Sequence, residues 1–210
     1  MKNTTLLKPI QARKILLENN LRIFTPQDFS WIFKTSPHTT KYFLEKQTSE
    51  GLFLRLKKGL YTLNTDLPNE KEIANALYKP SYISFEYALA YWNILPEMTY
   101  TVTSATTKPT RKFTNNAVTF SYYSIKREAF TGYELIKEDY KSFLIADKEK
   151  ALVDYLYFQS LGKKGKNDRL DLTGLNKKQI FLYAKLYNKK GLTKIIKELL
   201  PWLLKNCLKN

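Results

Sequence analysis

Residues 36–51 read Ser36-Pro37-His38-Thr39-Thr40-Lys41-Tyr42-Phe43-Leu44-Glu45-Lys46-Gln47-Thr48-Ser49-Glu50-Gly51, and Leu52-Phe53-Leu54-Arg55-Leu56, Lys57-Lys58-Gly59 and Leu60-Tyr61-Thr62-Leu63 follow. Ser before Pro is a helix start: the hydroxyl caps an orphan backbone N–H, and proline suits the first helical position. Gly51 ends that helix. The two β-prone runs around Lys57-Lys58-Gly59 read as a hairpin. Upstream, Thr25-Pro26 repeats the start signal and opens a short helix with Phe29, Ile32 and Phe33 inside. Earlier still, Leu6, Leu7, Ile10, Ile15 and Leu16 recur at roughly helical spacing until Asn19-Asn20. Helix, helix, helix, hairpin is the layout of a winged helix-turn-helix, in which the helix after the turn enters the major groove. The sequence therefore predicts such a DNA-binding domain over residues 1–65.

The rest of the chain is scaled to match. With 210 residues there is room for one large or two small domains. Lys and Arg number 35 against 19 Asp and Glu, a net charge of +16, which favours a polyanionic partner, most simply nucleic acid. Only six of the basic residues are Arg, a lysine bias that an AT-rich genome produces unaided. Residues 1–65 hold 11 basic and four acidic side chains, so they are the more basic part per residue.

The scarce residues exclude whole classes. A single cysteine, Cys207, allows no intramolecular disulfide and reads as a half-buried apolar residue in a reducing cytoplasm. One histidine, His38, rules out zinc fingers and His-rich metal sites, so no metal or cofactor is expected. Any His-based catalysis would have to use His38 itself. Neither GxGxxG nor GxxxxGK[ST] occurs among the seven glycines. No apolar run reaches the ~20 residues of a membrane span, and the start has no secretory h-region, so a cytoplasmic protein with no membrane partner is expected.

A polar stretch from Asn64 to Glu70 reads as the domain boundary, with the second domain over 70–210. There the pattern predicts a short helix near 71–78 and a helix in SFEYALAYWNIL closed by Pro96. Strands follow in TYTVTSA and AVTFSYYSI, with a third over Lys141 to Ala146. A strong helix starts after Asp147, a basic polar loop spans Gly162 to Gly174, and two helices over about 176–188 and 192–207 are broken at Lys190-Gly191. The expected class is α+β: a winged helix-turn-helix followed by a mixed α+β domain with C-terminal helices.

Candidate DNA contacts follow from the first domain's layout. Ser36, His38, Thr39, Thr40 and Lys41 occupy the first turn of the reading helix, where short or hydrogen-bonding groups meet base edges. Arg55, Lys57 and Lys58 lie on or beside the wing, suited to phosphate or the minor groove. The same residues also suit an ordinary capped surface helix and a solvated turn. In the second domain, Arg111, Lys112, Lys163, Lys164, Lys166 and Arg169 are candidate contacts to nucleic acid or an acidic partner, or simply solvated. Asp147-Lys148-Glu149-Lys150 admits two readings. One is a Mg²⁺-holding nuclease cluster. The other, favoured by the apolar helix that follows, is a helix cap with a first-turn acid.

At this point the chain resembles the AbiEi-type antitoxins of type IV toxin–antitoxin (abortive-infection) systems over roughly residues 5–160. Gly59-Leu60-Tyr61 is similar to that family's wing closure. Tyr82-Ile83-Ser84 with Ala88-Leu89 resembles its Ser-then-Ala-Leu helix, and Thr101-Val102-Thr103 its following strand. Phe130-Thr131-Gly132 resembles its Phe-x-Gly turn, and Glu149-Lys150-Ala151-Leu152-Val153-Asp154 its Glu-[Arg/Lys]-Ala-Leu-x-Asp helix start. Asn93 stands where the family has Gly, and Trp92 where it has His. The resemblance implies a bacterial, non-enzymatic autorepressor that binds inverted repeats in its own promoter. Its second domain would counteract a nucleotidyltransferase toxin encoded beside it. Two other readings remain: an interaction protein that holds a toxin or RNA directly, and a Mg²⁺-dependent nuclease using Asp147 and Glu149.

Overall fold

A computed structural model of the chain describes residues 7–205 except 98, 116, 117, 139 and 140, with side chains as far as 199. The expectations for Leu6 and Cys207 lie outside the described residues. The class is α+β: among the described residues there are eight α-helices and two sheets. The chain divides into two units, Met1–Asn69 and Glu70–Asn210.

The first unit begins with α1 (Pro9–Glu18), β1 (Ile23–Phe24) and α2 (Pro26–Phe33). It continues with α3 (Pro37–Ser49), β2 (Phe53–Lys57) and β3 (Leu60–Leu63). Thr25 starts α2 with a capping box: its hydroxyl accepts from Asp28 N at 3.2 Å, and Asp28 accepts from Thr25 N at 2.8 Å. The strands form one sheet in the order β1-β3-β2. The two-residue β1 is too short for any periodicity to reveal, yet it seats the fully buried Phe24 opposite Tyr61. Phe24 meets Phe53 edge-on at 5.3 Å, and Phe29, Leu44, Leu16, Ala12 and Leu63 close the core around them. Ile10 is an exception to the expected inner stripe of α1, being 76% exposed. The linker side of the unit is pinned by Arg13, whose guanidinium donates to Thr65 Oγ1 at 3.0 Å and Asp66 Oδ2 at 2.9 Å. Residues 65 and 66 therefore pack with the first unit rather than trail from it.

The second unit starts with α4 (Glu70–Leu77), β4 (Ser81–Ile83), α5 (Phe85–Tyr91) and β5 (Thr101–Thr106). Next come β6 (Arg111–Asn115), β7 (Val118–Ser124), a 3₁₀ turn (Arg127–Ala129), β8 (Tyr133–Glu138) and β9 (Lys141–Ala146). Three helices end it: α6 (Lys148–Ser160), α7 (Lys177–Tyr187) and α8 (Lys190–Lys205). Its sheet runs β6-β7-β5-β4-β9-β8, with β5–β7 and β4–β9 parallel and the other pairs antiparallel.

Three strands, β4, β6 and β8, exceed the sequence expectation. β4 is a three-residue central strand, and β6 and β8 are polar edge strands that carry little apolar alternation. The expected helix running to Pro96 stops at Tyr91, because Asn93 adopts φ 59° and ends it locally. The last break falls two residues earlier than expected, at the left-handed Asn188 rather than at Lys190-Gly191, and α8 already begins at Lys190.

Candidate nucleic-acid interface

In the first unit the interface candidates sit on α3 and on the hairpin β2–β3. Ser36 caps α3: its Oγ accepts from Thr39 N at 3.2 Å and lies 2.9 Å from Thr39 Oγ1. Between α2 and α3 the chain turns through Lys34, left-handed at φ 50°, and Thr35. His38, Thr39 and Lys41 point to solvent. Thr40 does not. It is 1% exposed, and its hydroxyl is 2.7 Å from that of Thr35, so it locks the inter-helix turn and is not available to a base edge. The reason is helical phase: Thr40 shares the inner face with Leu44 and Gln47, one and two turns on.

The outer face carries a residue that sequence reasoning missed. Tyr42 is 64% exposed and lies one turn after His38, so His38, Lys41, Tyr42 and Glu45 form one outward row. In the run Tyr42-Phe43-Leu44 any of the three suits a core position, and only the phase set by Thr40 and Leu44 decides.

On the hairpin, Arg55 and Lys58 are exposed and Lys57 is half-buried. The register slips between Arg55 and Lys57, a bulge that re-aims the strand before the turn. Gly59 holds φ 76° there with open space around it. On α2, Trp31 is 83% exposed beside a shallow hollow lined by Leu21, Gln27, Asp28 and Ile32.

In the second unit the predicted basic contacts are mostly engaged. Lys164 is nearly buried: it pairs with Glu86 and sits 4.6 Å from the Tyr123 ring centre and 5.3 Å from that of Phe85. Its long apolar stem packs into aromatic surface while the ammonium finds its carboxylate, so it is a structural residue rather than a contact. Arg169 pairs with Glu97, and Lys166 with Asp168 at 2.6 Å. Lys163 is exposed, its ammonium 5.7 Å from the Phe158 ring centre. Arg111, on the edge strand β6, lies over Tyr78 and Phe113 at 5.7 and 5.5 Å, and Lys112 beside it is exposed.

Asp147 caps α6 by accepting from Lys150 N at 2.7 Å and also accepts from the Tyr183 hydroxyl. Burial pushes its carboxyl above the usual carboxylate range, with the two hydrogen bonds opposing. Glu149 accepts from Asn176 N at 2.8 Å. Both acids thus hold backbone or phenol donors. No three His, Cys, Asp or Glu side chains gather in metal-binding geometry among the described residues. No described helix is long and apolar enough to cross a membrane.

A fully buried polar cluster lies behind α6. Lys150 and Asp154, both 0% exposed, form an ion pair one turn apart. Asp154 also accepts from Ser84 Oγ at 2.7 Å and Tyr82 OH at 3.0 Å, and Tyr187 OH donates to it as well. Lys150 Nζ reaches Tyr187 OH at 3.2 Å and lies 4.9 Å from that ring's centre. Burial pulls the Lys150 ammonium below its ordinary pKa, with Asp154 opposing, and pushes the Tyr82 and Tyr187 phenols well above theirs. Phe130 packs on Tyr82 at 5.1 Å. Gly132 leaves no room for a Cβ, since one built there would fall 2.6 Å from the Tyr183 ring. Segments 82–84, 130–132 and 149–154 thus converge on one place in the second unit, which sequence spacing alone did not show.

Trp92 donates its indole N–H to Ala146 O at 2.8 Å and so ties α5 to β9. No protein-family model matches the chain, and no match is found among curated proteins.

Proposed function

We propose that the protein is a DNA-binding antitoxin and autorepressor, with the first unit acting as a winged helix-turn-helix. The observation that carries this reading is the outward row His38, Lys41, Tyr42 and Glu45, with Thr39 beside it, on a helix that follows a tight turn and precedes a hairpin bearing exposed Arg55 and Lys58. In the proposed mode α3 lies in the major groove. Thr39, His38 and Tyr42 face base edges, while Lys41 and the hairpin cations neutralise phosphates. Glu45, on the same row, accepts from a cytosine amino group or repels phosphate, and so favours one register over another.

The antitoxin role of the second unit rests on the ordered resemblance to AbiEi-type proteins. It is also supported by the convergence of the segments that carry the resemblance on the Lys150–Asp154 cluster. In this reading the cluster holds the shape of the domain that opposes a nucleotidyltransferase toxin, and no catalysis is assigned to it. Asp147 and Glu149, each bonded at a helix start, support capping over metal-dependent cleavage.

The test is a gel shift on DNA from the protein's own upstream region, with random DNA as competitor, at two salt concentrations. A shift that survives competition and weakens with salt is the expected result; no selective shift removes the repressor reading. Co-expression with the product of the adjacent gene tests the antitoxin half: growth arrest that this protein fails to relieve would remove it.

A further inference from the structure

We infer that the outer face of the α7–α8 hairpin is a second, independent surface for the phosphodiester backbone of a nucleic-acid helix. From residue 70 on, the chain carries 24 Lys and Arg against 14 Asp and Glu. Seven of those lysines fall between 177 and 197, a span that contains no Asp or Glu. Most of the unit's excess charge is thus held by one helical hairpin.

The loop cations read from sequence, Lys164, Lys166 and Arg169, each have a carboxylate partner. The hairpin lysines have none among the described residues. Lys178, Lys185, Lys189, Lys190, Lys194 and Lys197 are all exposed. Lys190, Lys194 and Lys197 line a shallow trough along α8 together with Thr193 and Glu198, so three cations face one carboxylate there. Their stems leave the helix about 6 and then about 4.5 Å apart along its axis, so the three ammonium groups form one continuous cationic edge.

The partner class follows from what the opposite faces do. A basic amphipathic helix binds a membrane surface by inserting its apolar side. Among the residues whose side chains are described, that side is already used: Leu192 and Ile196 on α8, and Ile180, Ala184 and Tyr187 on α7, are buried within the unit. What remains is a face dominated by lysines, with Thr193 between them and Glu198 and the 55% exposed Leu182 beside them, which fits a polyanion in water. Lysines without fork geometry or aromatic platforms match phosphate as point charges and carry no base readout. The inference does not depend on the first unit reading DNA.

The experiment measures anisotropy of labelled DNA and RNA duplexes of unrelated sequence against the full chain, across a salt series. The variants are the triple K190Q/K194Q/K197Q and a charge-matched control, K14Q/K126Q/K137Q. Each is made in the wild type and in a K41Q/R55Q/K58Q background that quiets the first unit. Thermal unfolding confirms that each is folded.

The expected result is about a tenfold loss of affinity for the α8 triple at low salt, and a salt slope shallower by about 2 to 3, in both backgrounds. The control should stay near the parent. Loss with both duplexes, or with RNA or DNA alone, supports the surface and names its source. An unchanged slope, an equal loss in the control, or a loss seen only with polyglutamate or anionic vesicles overturns it. Failure of operator binding with the α8 effect intact would strike the repressor reading alone.

Discussion

Lys150 and Asp154 show what a single buried charge demands. Neither side chain touches water, and Asp154 collects four donors, from β4, from Ser84 at the start of α5, and from α6 and α7. Taking one partner away leaves the other charge buried and alone, which costs about 3–5 kcal/mol. Lys150→Met should lower the unfolding free energy of the second unit by that order, measured by urea denaturation; a loss under about 1 kcal/mol would mean the site is wetter than described. Thr39 and Thr40 separate recognition from packing at adjacent positions. Thr40→Ala breaks the buried hydroxyl pair with Thr35 and should destabilise by about 1–2 kcal/mol with little change in sequence discrimination. Thr39→Ala should do the reverse, reducing discrimination in competition binding while leaving the melting temperature near the wild type. Equal effects on both properties would put the helix in the wrong phase. The sequence placed both residues in the first turn of α3. Which of them faces outward is set by the inner row Thr40, Leu44 and Gln47, and reading that row requires knowing what packs against it.

At the scale of elements, the starts were legible and the partners were not. Thr25-Pro26, Ser36-Pro37 and Asp147 all cap helices where the local residues say they should, because capping involves atoms within three residues of each other. Asp147→Ala should cost about 1–2 kcal/mol through the lost cap, and more through the orphaned Tyr183 hydroxyl. The check is a double-mutant cycle with Tyr183→Phe: additive effects would deny the contact. Gly132→Ala forces a Cβ against the Tyr183 ring at a residue with φ 74°, so it should destabilise the second unit by about 1–3 kcal/mol; a neutral substitution would contradict the packing of α7 on the 3₁₀ turn. The strands β1 and β4 escaped the sequence because they are two and three residues long and pair with strands distant in the chain. The edge strands β6 and β8 pair with the next strand in the chain and escaped because their largely polar residues carry little apolar alternation.

For the whole molecule, charge and tyrosine ionisation are the accessible readouts. Burial pushes Tyr91 and Tyr183 up to about 12, with hydrogen bonds to Glu138 and Asp147 adding to the shift. Burial likewise raises Tyr87, Tyr122, Tyr82 and Tyr187 well above the ordinary phenol value. A phenol with a raised folded pKa stabilises the fold below its unfolded pKa of ~10, and that contribution is lost as pH rises through the folded value. Ultraviolet titration should therefore show only part of the 15 tyrosines ionising near pH ~10, with the rest released together on alkaline unfolding. A single step near ~10 with the fold retained would mean the aromatic clusters are open.

Composition alone determined the strong positive charge and the shortage of His, Cys and nucleotide-loop glycines, because these are counts that no fold can change. Local sequence determined the capped helices, the Gly59 hairpin and the α+β class, because turns and caps are settled over three or four residues. Only the tertiary structure decided which cations are engaged. Lys164, Lys166 and Arg169 meet carboxylates from elsewhere or close by, while the lysines of α7 and α8 meet none among the described residues. It alone brought Tyr82, Ser84, Lys150, Asp154 and Tyr187 together as well. Electrostatic pairing and burial depend on distance in space, and residues 70 positions apart in the chain come within 3 Å of each other only once the sheet and α6 have formed.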